Sequence, residues 1–98
     1  MITIQNITEW SKQHPYHPKG RHTRLSNEKV EVSIVGGSSG LYGDFVNEFE
    51  LAVFDCKNRE FLTTSFFEGK DDVIAYMKAE DVLEFVNKVF KEDNFQVL

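Results

Sequence analysis

The clearest pattern in the chain is the strict alternation of Lys29-Val30-Glu31-Val32-Ser33-Ile34-Val35. It puts Val30, Val32 and Ile34 on one side, the two-residue period of a half-buried strand. The alternation returns from Val46 to Asp55, where Phe49, Leu51 and Val53 point one way and Glu48, Glu50, Ala52 and Phe54 the other. Lys57-Asn58 signals a tight turn, because Asn tolerates positive φ, and Arg59 to Phe67 reads as a third strand. A two-residue turn sets Val53 opposite Leu62 and Phe49 opposite Phe66 on the core side, with Phe54 opposite Phe61 on the other. Glu68-Gly69-Lys70-Asp71-Asp72 then breaks the pattern as a charged turn, and Val73 to Met77 reads as a short extended piece.

Helical periods occupy the two ends. From Ala79 onward, Val82, Phe85, Val86, Val89 and Phe90 form a broad apolar stripe. Glu80, Asp81 and Glu84 lie early in that segment and Lys88 and Lys91 late, as the helix dipole favours, with Glu84 and Lys88 one turn apart. Near the start, Ile4, Ile7 and Trp10 recur every three residues; Asn6 with Glu9 has capping-box residue types, and Thr3 offers an earlier cap. Pro15 and Pro18 forbid continuation, so residues 14–27 read as an extended polar loop. The predicted fold is α+β: a two-layer domain with an N-terminal helix, a three-stranded antiparallel meander and a C-terminal helix packed on one sheet face.

All 98 residues fit a single domain, and 41% apolar with 28% charged residues excludes collagen-like, disulfide-framework and low-complexity classes. The net charge of −5 argues against a general nucleic-acid or anionic-membrane binder, but that total hides a split. Residues 1–27, the helix plus a basic loop arm, carry Lys12, Lys19, Arg21 and Arg24 against Glu9; residues 28–98, the β-meander and helix body, carry an excess of eight acids. The opening residues have no basic stretch followed by an apolar run, and no apolar stretch approaches the ~20 residues that span a bilayer. With a single cysteine, Cys56, the expectation is a cytoplasmic protein with no membrane contact. Cys56 sits among Lys57, Asn58 and Arg59, where cations favour a thiolate, but no histidine lies near it in sequence.

Several runs are candidates for chemistry. Gly36-Gly37-Ser38-Ser39-Gly40-Leu41-Tyr42-Gly43-Asp44 has the glycines of a phosphate loop, yet a strand follows it and Asp44 and Glu48 would repel an anion. It reads instead as a long hairpin loop whose four glycines no core packing explains, presenting Leu41 and Tyr42 to a protein partner. His14, His17 and His22 fall within nine residues but lack the cysteine or carboxylate that completes a structural zinc set, so no metal and no cofactor are expected. Lys19, Arg21 and Arg24, with His22 and Lys29, form a basic stripe that either holds nucleic-acid phosphates or folds back as a counter-charge to the acidic body. The element order is that of the double-stranded-RNA-binding module, but the start of the last helix reads Lys78-Ala79-Glu80-Asp81, acidic where that family is basic. On the outer sheet face, Glu31, Glu48 and Glu50 make an acidic surface, and Phe54 with Phe61 an apolar patch.

The stretch Val30 to Phe45, continuing through Ala52-Val53-Phe54-Asp55 and preceded by His17-Pro18-Lys19-Gly20-Arg21, resembles small proteins of unassigned function carried by phages and prophages of Gram-positive bacteria. That resemblance implies action inside a bacterial host and brings no catalytic motif. The sequence therefore leads to a non-enzymatic interaction protein, an accessory modulator of a host or phage factor. Its partner-binding residues are Leu41, Tyr42, Glu48, Glu50, Phe54 and Phe61. The alternative is nucleic-acid binding through Lys19, Arg21 and Arg24. A third class, an enzyme pairing an arm histidine with Asp44, requires hydrogen-bond reach between them.

Overall fold

A computed structural model describes residues 1–68, 71–91 and 94–98. Among them the chain forms three helices and a six-stranded antiparallel sheet. The order is α1 (Ile4–Glu9), β1 (Lys12–Gln13), β2 (Arg21–Ser26), β3 (Val30–Gly36), β4 (Glu48–Asp55), α2 (Thr63–Phe66), β5 (Ile74–Lys78), α3 (Ala79–Val89) and β6 (Gln96–Val97). Strands β1 to β5 lie side by side in sequence order, and β6 joins β2. The charged turn expected at 68–72 lies partly outside the described residues.

Thr3, the earlier of the two possible caps, starts α1: its hydroxyl accepts from Asn6 N–H, while the Asn6 amide oxygen accepts from Thr3 N–H. The inward faces of β3 and β4 follow the alternation, with Val32, Ile34, Phe49, Leu51 and Val53 fully buried. Ile7 of α1 and Val82, Phe85 and Val86 of α3 enter the same core cluster, and Val89 packs against it partly buried. Asn87 ties the chain start to α3, accepting from Ile2 N–H at 2.7 Å and donating to Ile2 O at 2.9 Å.

Two segments depart from the pattern. Within the expected loop 14–27, Arg21–Ser26 is a strand paired with β3 along its whole length, from Arg21 opposite Gly36 to Ser26 opposite Glu31. Its inward residues are only Thr23 and Leu25, both buried, and Thr23 fills a core position because its hydroxyl donates to Ile7 O at 2.6 Å. A buried hydroxyl is tolerated when it is bonded, so polar composition concealed the strand.

The third strand is the second departure. Arg59 to Phe67 is not a strand: the chain turns with Asp55 Oδ1 accepting from Lys57 and Asn58 N–H, and pairs with β4 only through a single bridge, Phe54 opposite Phe61. Leu62 N–H still reaches Val53 O at 2.7 Å, but the Val53 N–H is taken by Thr63 Oγ1 at 2.9 Å. That side-chain bond replaces the next ladder rung, and α2 begins. Phe49 accordingly lies opposite Met77 of β5, not opposite Phe66. Thr63 is fully buried, so Thr63→Val, which keeps the shape and removes the acceptor, is expected to cost about 1–3 kcal/mol by orphaning Val53 N–H. Chemical denaturation checks this; a loss below about 0.5 kcal/mol would show that another group ends the ladder.

Candidate functional site

The β3–β4 connection, residues 37–47, is built by close packing. A Cβ at Gly43 would stand 2.6 Å from Glu48 O, so that position accepts no side chain, and one at Gly40 would displace the His17 ring. Leu41 reaches across to Gly20 of the preceding loop, where a Cβ would meet Leu41 Cδ1 at 2.9 Å. What holds these glycines is packing within the loop region and not the core: the loop lies against residues 14–20. Asp44 fixes its far side, with Oδ1 accepting from the N–H groups of Val46, Asn47 and Glu48 at 2.8–3.0 Å. Those bonds, Glu48 first, hold the Asp44 carboxyl at about 2.

Tyr42 emerges from this loop half exposed. Its ring meets that of Tyr76 edge-on at 5.9 Å, and its carbonyl accepts from Tyr76 N–H at 2.9 Å. Tyr76 sits where the β4–β5 register slips between Phe49 and Leu51, has φ of +53° and leaves 56% of its surface exposed. A bulky residue in the left-handed region is strained, and strain of this kind concentrates at functional positions. Val46, in the same loop as Tyr42, is 65% exposed. Leu41, Asp44, Glu48 and Tyr76 line a depression of about 350 Å³. Glu50 Oε1 lies 3.4 Å from Tyr42 N, so Leu41, Tyr42, Glu48 and Glu50 come together at one corner. Tyr76 belongs there too: it is exposed beside the buried Met77 at the bulge, and nothing in the sequence paired it with Tyr42.

Phe54 and Phe61 lie elsewhere. They stack at 4.6 Å with Arg59 5.6 Å above the Phe54 ring, at the opposite end of β4, about 13 Å from Glu50 at ~3.3 Å per residue. Glu31, assigned to the solvated acidic face, is instead 3% exposed. Its Oε2 accepts from Arg24 Nη2 at 2.6 Å and Nε at 2.7 Å, and its Oε1 from Arg59 Nη1 at 2.6 Å. Burial works against the charge, but the bonds from Arg59 and Arg24 outweigh it and hold the carboxyl below its usual range.

The basic stripe is thus largely engaged. Arg24 is a counter-charge to the acidic body, and Arg21 donates to the Ser11 carbonyl at 2.8 Å and to its hydroxyl. Lys19 is exposed. His14 lies 4.9 Å from His17 and 5.8 Å from His22, ring to ring. Burial first, then His17 for His14 and His14 for His22, keeps both imidazoles below their usual pKa, with Glu50 opposing at His14. Among the described residues no His, Cys, Asp and Glu group is arranged to hold a metal ion, and Asp44 bonds to backbone rather than to a histidine. Cys56 is partly buried, its Sγ 3.3 Å from both Ser26 Oγ and Asn27 O. No helix among the described residues is long and apolar enough to cross a membrane. No protein-family model, curated protein or solved structure matches this chain.

Proposed function

We propose that this is a non-enzymatic protein-interaction module whose contact surface is the Tyr42–Tyr76 corner. The observation that carries this reading is the pair of exposed tyrosines, Tyr42 on a loop held by packed glycines and the Asp44 bonds and the strained Tyr76 beside it on β5. Aromatic side chains on a fixed frame are the commonest anchors of protein interfaces and lose little entropy on binding. Glu48 and Glu50 stand beside them and suit a partner with a basic rim. Taken with the resemblance of residues 30–55 to phage and prophage proteins, the role is that of an accessory modulator of a host or phage factor in the cytoplasm.

Nucleic acid is the second reading, and it draws on Lys19 more than on Arg21 and Arg24, whose guanidinium groups already have protein acceptors. Binding through about three phosphates would give a log–log salt slope near −2 to −3.

The test compares partner capture by wild type, Tyr42→Ala and Tyr76→Gly. Glycine accepts φ of +53° freely, so Tyr76→Gly is expected to hold or raise the melting temperature while losing the partner. Tyr42→Ala is expected to weaken binding mainly through faster dissociation at nearly unchanged stability. Undiminished capture by both variants, or a large stability loss in both, would sink the proposal.

A further inference from the structure

A separate site emerges on the sheet face that carries Arg24, Glu31 and Phe54. A groove of about 410 Å³ runs there, within the size range of small-molecule sites. One wall is the Arg24–Glu31–Arg59 trio, the other holds His14 and His22, and Ser33 lies between. Two guanidinium groups share one carboxylate, so the wall keeps one uncompensated positive charge in a chain of net charge −5. Among the described residues, Arg24 Nη1, Arg59 Nε and Nη2, and the Ser33 hydroxyl have no protein acceptor. Arg59 is held by Glu31 and by the Phe54 ring beneath it, so its free donors are pre-oriented. Glu50 acts on His14 from β4 but does not line the groove.

We propose that this groove binds the phosphate group of a small phosphate monoester, with the ester's apolar body toward the Phe54 end. Two arginines, a hydroxyl and two imidazoles line the groove, more donors than a carboxylate's two oxygens need and the kind of set that serves the three terminal oxygens of a phosphate. Burial holds both imidazoles below their usual pKa, and a dianion beside them favours their protonation, adding donors as the ligand arrives. The inference is independent of the Tyr42–Tyr76 surface.

The test is an NMR titration of the His14 and His22 imidazole signals with phenyl phosphate, inorganic phosphate and benzoate. Phenyl phosphate is expected to shift both signals saturably, inorganic phosphate more weakly and benzoate weakest. Arg59→Gln should weaken phenyl phosphate binding about tenfold, as expected for losing a charge-assisted fork. Arg59→Lys, which keeps the charge without the fork, should fall between Gln and wild type and serves if the Gln variant folds poorly. Lys88→Gln, the same charge change on α3, should bind as wild type does. The site is overturned if phenyl phosphate gives no saturable shift, if benzoate binds equally well, or if Lys88→Gln weakens binding as much as Arg59→Gln.

Discussion

Truncating Phe49 to alanine is expected to remove roughly 3–5 kcal/mol of stability, the cost of deleting a fully buried aromatic side chain and leaving the space. Phe49 has no exposed surface, meets the Phe45 ring at 5.2 Å and sits on β4 between β3 and β5, facing the cluster that includes Val82 and Val86 of α3. Few groups are free to fill the void, because the surrounding strands are hydrogen-bonded on both sides of it. Domains of this size have total stabilities of about 5–15 kcal/mol, so the variant should be partly unfolded near room temperature at the lower end of that range. Phe85→Ala belongs at the lower end of the penalty: Phe85 keeps 8% exposure, and Phe66 and Phe67, both against its ring, are placed to move inward. Urea unfolding of both variants tests the ranking. A loss under 1 kcal/mol at Phe49 would mean that the core has been placed wrongly.

Replacing Glu31 by alanine is the second large effect, expected at about 2–3 kcal/mol. The change removes a buried carboxylate that accepts three charge-assisted bonds. The loss falls short of that for orphaning a buried charge, since Arg24 and Arg59 are each partly exposed and water can reach them. Arg59→Ala should cost less, because Arg24 still holds the carboxylate on two donors. The pH dependence has a definite sign. The folded carboxyl lies below its usual range, so its contribution is complete above the unfolded pKa of about 4.3 and is lost as pH falls through the folded value. Glu31→Gln should therefore lose less stability between pH 7 and pH 3 than wild type does. Asp44, whose carboxyl is held at about 2, is common to both proteins and affects them equally. Equal acid sensitivity of the two would show that Glu31 is not the group responsible.

The strands β3 and β4 were legible because each exposes one apolar side and one polar side, and period two follows directly from the pleat. The same logic made α3 legible, with Val82, Phe85 and Val86 on one stripe and acids in its first turn. The Phe54–Phe61 pairing was also readable from turn length, and the single bridge sits there. Strand β2 was not readable, since a core threonine looks polar until the carbonyl it bonds, Ile7 O, is brought beside it by α1. The aromatic run after Arg59 looked like a strand, because the group that ends the ladder is a threonine hydroxyl ten residues from the N–H it takes.

Local periodicity thus established which stretches could bury a face, and composition established the acidic body with its basic start. Tertiary contact settled where each charge and each exposed aromatic ended up. Glu31 and Arg24 are seven residues apart and looked like members of opposing surfaces; β2–β3 pairing puts them side by side, and Arg59 completes the trio from 28 residues away. Tyr42 and Tyr76 meet because the β3–β4 loop folds over to β5, where the Tyr42 carbonyl accepts from Tyr76 N–H. Side-chain period depends on bonds between neighbouring residues and is written along the chain. The partners of a charge or a ring depend on strand register and on loops folded across the sheet, where the free energy of many distant contacts is decided at once.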